Sequence, residues 1–267
     1  MSRKIGFIGG GNMAEGIIGG LVASKSIDSA SVFVREIRAD RQQYLTGKYG
    51  ITAASDNEEL LKRADIIVLA VRPQDAEPVV RAISGYVEDR HIIVSICAGI
   101  KIEKLKDWIG KDVKFARIMP NTMIESGRGY SALAVADDLT DADRSEVRVI
   151  TDAIGKTMYL AEEKFDAFTA LSCAGPEWFI LYATALTDAG VEIGISREES
   201  KAIVYENMVA TGTVLAGSKK HPYQITDEMN TPGGIGIAGF HSFQNAGLTG
   251  IVMDAVYAAY KRTTELG

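Results

Sequence analysis

The chain has little of what would mark a secreted, membrane-spanning or nucleic-acid-binding protein. Two cysteines, Cys97 and Cys173, in 267 residues build no disulfide framework. No apolar run nears the ~20 residues that cross a bilayer. The N-terminus runs directly into a strand pattern, with no charged-then-apolar leader. Cytoplasm is therefore the expected location. Basic residues are not in excess: the net charge of −6 leaves no polyanion-binding footprint, so neither nucleic acid nor membrane is expected as a partner. The histidines, His91, His221 and His241, are scattered without metal-ligand spacing, and no metal is expected. No repeat or low-complexity linker breaks the sequence. What remains, 46% hydrophobic and 24% charged, can fill one large or two smaller cores.

The most specific feature lies at the start. Arg3 to Ile8 reads as a short strand, and Gly9-Gly10-Gly11-Asn12-Met13-Ala14 follows at once. A helical pattern (Met13, Ile17, Ile18, Leu21, Val22) comes next. This is G-x-G-x-x-A between a strand and a helix. Gly9 permits the tight turn, and Gly11 lets the backbone approach a pyrophosphate. Ala14 allows close helix–strand packing, and the helix N-terminus favours the phosphate charge. The bland alternative is a glycine-rich turn without a ligand, and the strand–turn–helix order speaks against it.

A βαβα rhythm continues from there. Ser31 to Glu36 reads as a second strand, with a charged helix from about Arg38 to Lys48. The apolar run Ile66 to Val71 suits a central parallel strand covered on both faces. Pro73 is placed to open the next helix. His91 to Ile96 and Lys114 to Met119 read as further strands. Gly129 to Ala136 and Thr157 to Leu160 read as the last two, around a helix from about Thr140 to Ile154. The pattern predicts a parallel sheet with helices on both faces. Ligands bind such sheets beyond the strand carboxyl ends, so Gly9–Met13, Val71–Gln74, Ala98–Gly99 and Pro120–Asn121 should converge on one crevice. Past about residue 160 strands disappear. Helical stretches rich in Ala, Ile, Val and Met follow: Lys164–Leu171, Pro176–Ile193, Arg197–Ala216 and Gly247–Glu265. Such an apolar helical tail suggests burial against a partner subunit, or else against its own first domain.

The end of the second strand bears on the cofactor. An acid at Glu36 can hydrogen-bond the adenosine ribose hydroxyls and repel a 2′-phosphate, which favours NADH over NADPH. Arg35, Arg38 and Arg41 crowd the same turn and are the groups that would instead hold a 2′-phosphate.

Several of these segments, taken together, resemble one family. Gly6-Phe7-Ile8-Gly9-Gly10-Gly11-Asn12-Met13-Ala14 is similar to the opening of pyrroline-5-carboxylate reductases. Val71-Arg72-Pro73-Gln74, Ser95-Ile96-Cys97-Ala98-Gly99 and Arg117-Ile118-Met119-Pro120-Asn121-Thr122 continue the likeness. So do Gly175-Pro176, Asp188-Ala189-Gly190-Val191, His221-Pro222, Thr231-Pro232-Gly233-Gly234 and Arg262-Thr263-Thr264-Glu265-Leu266, in that order. The resemblance spans essentially the whole chain. It implies an α/β Rossmann domain (doubly wound, mostly parallel sheet) over 1–160. An all-α substrate-binding and dimerisation domain would follow over 161–267, giving a homodimer or higher oligomer. It also implies NAD(P)H-dependent reduction of a cyclic imine carboxylate, with 1-pyrroline-5-carboxylate to proline as the leading reaction. Expected cofactor contacts are Gly9, Gly11, Asn12, Met13, Glu36, Val71, Arg72, Pro73, Ala98, Gly99 and Asn121. The Thr231–Gly234 loop would cradle the substrate carboxylate with main-chain amides. Ser172, Thr231, Gly233, Gly234 and Gly236 are the expected substrate contacts, and Glu177 and Thr231 the expected catalytic residues.

The substrate half departs from the family pattern. Ser172-Cys173-Ala174-Gly175-Pro176-Glu177-Trp178 stands where the family usually reads Ser-Gly-Ser-Gly-Pro-Ala-Tyr. Gly236 replaces a threonine taken to contact the substrate amine. Phe243-Gln244 and Thr249 stand where Leu-Glu and an arginine are common. Glu177 has two readings: compensation of the helix dipole, or a carboxylate that binds a cationic substrate group. A family reductase acting on a different, cationic imine is therefore one alternative, and a non-catalytic dinucleotide-binding regulator another. A β-hydroxyacid dehydrogenase of similar layout would need a lysine in the first helix of the second domain, where Lys164 qualifies by position alone. Cys173 reads as a small buried hydrophobe, and His241 as structural.

Overall fold

The structure is a computed structural model that describes residues 4–265. Arg3 and Leu266, named above, lie outside the described residues. The strands are β1 (Ile5–Ile8), β2 (Val32–Arg35), β3 (Thr52–Ala53), β4 (Ile66–Leu69), β5 (Ile92–Ser95), β6 (Lys114–Pro120), β7 (Gly129–Val135) and β8 (Gly155–Tyr159). They form one sheet in the order β3-β2-β1-β4-β5-β6-β7-β8. The helices among them are α1 (Asn12–Ala23), α2 (Ala39–Tyr49), α3 (Asn57–Arg63), α4 (Pro73–Ile83), α5 (Ile102–Ile109) and α6 (Asp141–Asp152).

Strand side chains alternate between two layers, as a pleated strand requires. Phe7, Val68 and Val94 join Ile17, Ile18, Leu21, Val147 and Ile150 on the α1/α6 side. Ile67, Leu69 and Ile93 join Leu60, Val80 and Leu105 on the α3/α4/α5 side. Every residue of β4 is buried, which matches its unbroken apolar run. Among the described residues β6 with β7 is the one antiparallel pair, so the sheet is mostly parallel, as the resemblance implies. Only a 3₁₀ turn, Thr122–Ser126, joins those two strands. That is too short for the crossover a parallel pair needs.

The last strand ends at Tyr159. Five more helices follow after the short α7 (Phe165–Phe168): α8 (Gly175–Glu192), α9 (Arg197–Gly217), α10 (Pro222–Met229), α11 (Ile235–Asn245) and α12 (Leu248–Thr264). A π-helical turn, Thr169–Cys173, separates α7 from α8. The chain divides into two compact units, Met1–Cys173 with Tyr260–Gly267, and Ala174–Ala259. The division falls after residue 160 because Phe165 and Phe168 pack into the first unit's core with Met119, Ala132 and Ala134. In the second unit α9 opens on a capping box, with Ser196 and Glu199 satisfying each other's backbone. Among the described residues no helix is long and apolar enough to cross a membrane.

Candidate active site

The carboxyl ends of the central strands are level. Ile8 pairs with Leu69, Leu69 with Ser95 and Ser95 with Arg117, all in parallel register. The loops that leave these ends are Gly9–Asn12, Val71–Pro73, Ala98–Gly99 and Asn121. They therefore open on one edge of the sheet, next to the reversal of strand order at β1 and β4.

Each glycine of the fingerprint has a distinct physical reason. Gly9 has φ +96°, and a Cβ there would lie 2.5 Å from the Ala70 carbonyl oxygen. Gly10 is packed too, since a Cβ would lie 2.7 Å from Leu45 Cδ1. Gly11 differs: its Cβ position has nothing within 4 Å. The chain itself does not need a glycine there, so the need is for room beside the backbone. Gly11 is also the N-cap of α1, and no side chain caps that helix. Its first N–H groups thus remain available to an anion. Asn12 is exposed and Met13 half-buried at this helix start. These features fit a dinucleotide pyrophosphate.

Glu36 is 9% exposed at the end of β2. Its Oε2 accepts the Gly10 N–H at 2.8 Å and its Oε1 the Arg38 N–H at 3.0 Å. The carboxylate thus ties the glycine loop to the start of α2. Arg35 donates to the Glu36 carbonyl at 2.5 Å. Arg41 donates through Nε to the Gly10 carbonyl at 2.7 Å and through Nη2 to Glu15 at 2.5 Å. Val71 lies against Gly9, with its Cγ1 3.2 Å from the Cβ position there. Arg72 is exposed, pairs with Asp75 and stands at the N-cap of α4 without capping it, and Pro73 opens that helix as expected. Gly99 has φ +74°, and Ala98 packs on the Met119 cluster.

Asn121 connects this edge to the π-helical turn. Its Oδ1 accepts the Met123 and Tyr130 N–H groups, while Nδ2 reaches the Ser172 carbonyl and hydroxyl at 3.4 and 3.5 Å. The structure thus brings one expected cofactor contact and one expected substrate contact together. Burial pushes the Cys173 thiol up to about 11, and its Sγ faces the Pro120 carbonyl at 3.5 Å. It stays protonated, as a packing residue rather than a nucleophile. His91 is fully buried between the Glu88 N–H and the Leu61 carbonyl, and burial lowers its pKa. His221 caps α10, and His241 bonds Asn245.

The second unit holds the remaining expected residues. Thr231-Pro232-Gly233-Gly234 is a turn closed by the Gly234 N–H on the Thr231 carbonyl at 2.9 Å. Gly233 has φ +70°, as the third residue of a type II turn with Pro at the second position requires. The turn commits the Gly234 N–H, so the donors left for an anion are those of the first turn of α11. That helix begins at Gly234 without a side-chain cap, and Gly236 lies in its first turn. Glu177 is exposed in the first turn of α8, and its carboxylate makes no hydrogen bond or ion pair among the described residues.

Comparison with known proteins joins these two sets of features. A family model described as pyrroline-5-carboxylate reductase dimerisation matches residues 162–266. Another, described as NADP oxidoreductase coenzyme F420-dependent, matches residues 4–99. The chain is 34% identical to a pyrroline-5-carboxylate reductase of Arabidopsis thaliana over 265 residues, 99% of this chain and 96% of that protein. The chain belongs to the pyrroline-5-carboxylate reductase family. A solved pyrroline carboxylate reductase of Plasmodium falciparum with NADP bound superposes with TM-score 0.88 at 30% identity, covering 99% of this chain and 98% of that one. One from Coxiella burnetii superposes with TM-score 0.92 at 25% identity, covering 100% and 99%.

As a member of this reductase family the chain is an NAD(P)-dependent oxidoreductase that carries the family's dimerisation domain. The apolar helical half is correspondingly uncovered in the single chain: Phe179, Leu181, Ile235 and Met253 are each at least 66% exposed. An exposed apolar surface of this kind marks an interface. Light scattering at micromolar concentration should return at least twice the mass of one chain, and a lone monomer would contradict it. Sequence reasoning missed the Glu15–Arg41 contact and the buried Arg117–Glu162 pair. No motif signals either, because the partners are 26 and 45 residues apart.

Proposed function

We propose that the chain reduces 1-pyrroline-5-carboxylate to proline, with NADH as the preferred cofactor and a homodimer as the smallest working unit. The observation that carries the reading is the open Gly11 backbone at the uncapped start of α1. The uncapped start of α11 supports it, as a place for a substrate carboxylate. When bound, the nicotinamide supplies hydride to the imine carbon. The residues of the chain bind and orient. The first turn of α1 would hold the pyrophosphate and Glu36 the adenosine ribose; in the second unit, the first turn of α11 would hold the substrate carboxylate. Oxidation of NADH in the presence of pyrroline-5-carboxylate, with proline as product, tests the proposal. Absence of turnover despite NADH binding would favour the non-catalytic regulator instead.

The preference for NADH rests on what the arginines already do. Arg35 and Arg41 are held by backbone carbonyls, and Arg41 by Glu15 as well. Arg38 alone of the three keeps a mostly exposed side chain, and it lies 3.9 Å from Glu36. A 2′-phosphate at this corner meets a nearly buried carboxylate. Glu36→Ser is expected to raise the NADPH:NADH ratio of kcat/KM by about tenfold (~1.4 kcal/mol). It should weaken both cofactors somewhat, since the Gly10 anchor is lost. A parent that already prefers NADPH, with a ratio unmoved in the variant, would assign the choice to the arginines.

One observation favours a second substrate class. Glu177 is a carboxylate without a partner among the described residues, where the resemblance expects alanine. Its natural complement is a cation, either the iminium or an extra amine on a larger imine. A Cβ at 236 would lie 3.1 Å from Asn230 Oδ1 and 3.8 Å from the Met229 carbonyl oxygen, so a threonine there fits once the Asn230 side chain gives by a few tenths of an ångström. Glu177→Ala with Gly236→Thr is expected to raise kcat/KM on pyrroline-5-carboxylate and lower it on an amine-bearing cyclic imine. Robust parental turnover of pyrroline-5-carboxylate, insensitive to Glu177→Ala, would exclude the second class.

A further inference from the structure

The glycine-rich loop is gripped at Gly10 from both sides of its backbone. The N–H donates to Glu36 Oε2 at 2.8 Å, and the carbonyl accepts from Arg41 Nε at 2.7 Å. Arg41 is fixed in turn. Its Nη2 donates to Glu15 Oε2 at 2.5 Å, and its guanidinium lies 5.1 Å from the centre of the Tyr44 ring. Glu15 sits in the first turn of α1, beside the loop. Its Oε1 accepts from Lys48 Nζ at 2.9 Å and from the Tyr44 and Tyr49 hydroxyls, each at 3.0 Å. Burial alone would raise the pKa of Glu15. The hydrogen bonds from Lys48, Arg41, Tyr49 and Tyr44 outweigh it and hold the group at about 2, so the anchor stays charged at neutral pH. Arg41 and Glu15 keep only 15% and 17% of their side-chain surface exposed. Charge-assisted bonds out of water are the strong ones.

We infer that Arg41, locked by Glu15, is a positioning residue that sets the dinucleotide loop, and is not a ligand of a cofactor 2′-phosphate. The guanidinium bridges three points, namely the loop carbonyl, the first turn of α1 and the Tyr44 face. Swinging it outward to a phosphate would break the bonds to Gly10 and Glu15 together, leaving the Gly10 carbonyl and Glu15 Oε2 without their donor while Lys48 and the two tyrosines hold only Oε1. A group that holds the loop's shape serves every dinucleotide equally, whereas a phosphate ligand serves NADPH alone. That difference in symmetry separates the two roles. The inference rests on the reading of Gly9–Met13 as the dinucleotide site.

Calorimetric Kd values for NADH and NADPH at 25 °C decide the matter. Arg41→Met should weaken both cofactors by the same factor, about tenfold (~1.4 kcal/mol). Arg41→Lys, which keeps a donor and a charge, should recover part of that loss. Glu15→Gln keeps the side-chain shape and should produce the same equal loss, to a smaller degree. Thermal unfolding measured alongside confirms that each variant is folded at 25 °C, where a lower Tm by itself does not change Kd. Loss of NADPH affinity alone in Arg41→Met, or unchanged affinity for both cofactors, would overturn the inference while leaving the site reading intact. A parent that binds neither dinucleotide would remove the site reading and the inference with it.

Discussion

Gly11→Val is expected to abolish dinucleotide binding while leaving the fold in place. The two effects separate because of where Gly11 sits. Its φ of −66° and ψ of −178° are ordinary extended backbone that valine adopts without strain. The new Cβ meets nothing within 4 Å, so folding loses no contact and gains no clash. The isopropyl group instead fills the space beside the first N–H groups of α1, where the pyrophosphate must approach. A loss beyond about 100-fold in NADH affinity follows (more than ~2.7 kcal/mol). The Tm without cofactor should stay within a few degrees of the parent. The rise in Tm that NADH gives the parent should vanish. Gly9 is the contrasting control. At φ +96° and 2.5 Å from the Ala70 carbonyl, a valine there should lower the Tm itself. Calorimetry showing Gly11→Val binding NADH like the parent would move the site elsewhere.

That contrast marks how much could be read from the sequence. The fingerprint identified the loop because strand, glycines and helix occur in one fixed order, which is local information. The level carboxyl ends of β1, β4 and β5 were legible for the same reason: unbroken apolar runs, each stopped by a turn. Short elements were not. The two residues of β3 and the seven of α3 are too few to show a period. The bounds of α11 were blurred by its glycines, although the Pro-Gly-Gly turn before it was plain. The antiparallel β7 could not be told from a parallel strand, since its residues carry no sign of direction. Only the length of the preceding connection does.

At the site, the sequence named the carboxylate at 36 and the three arginines but could not say which of them were free. Glu36 reads as a ribose acceptor from its position alone. The structure adds that both its oxygens already hold backbone N–H groups. Arg41 read as a group that could hold a 2′-phosphate, and only its geometry shows it bound to Gly10 and Glu15. Pairings between side chains distant in sequence depend on how helices cross, and a single sequence carries no trace of that.

The buried Arg117–Glu162 pair is the extreme case, and it leads to the largest stability effect expected for this chain. Arg117 is 1% exposed on β6, three residues before Pro120 and four before Asn121 at the crevice. Its Nη1 donates to Glu162 Oε1 at 3.1 Å, its guanidinium rests 4.9 Å from the Phe165 ring centre, and its Nε and Nη2 have no partner among the described residues. The same carboxylate oxygen accepts the Ile102 N–H at 2.8 Å and so caps α5, which has no cap of its own at Lys101. Glu162→Ala therefore strands a buried cation and frays a helix start together. Breaking one partner of a buried pair costs roughly 3–5 kcal/mol. In a chain of this size that lowers the Tm by roughly 6–20 °C. Arg117→Met removes the cation and leaves Glu162, which keeps the Ile102 N–H and 20% of its side-chain surface in water, so it should cost less than Glu162→Ala. In that background Glu162→Ala should cost only about 1 kcal/mol, the worth of the lost helix-start bond. Denaturant unfolding of the two single variants and the double variant measures the difference. An equal cost of Glu162→Ala in both backgrounds would mean that Arg117 does not depend on Glu162, and that β6 is held in place by apolar packing alone.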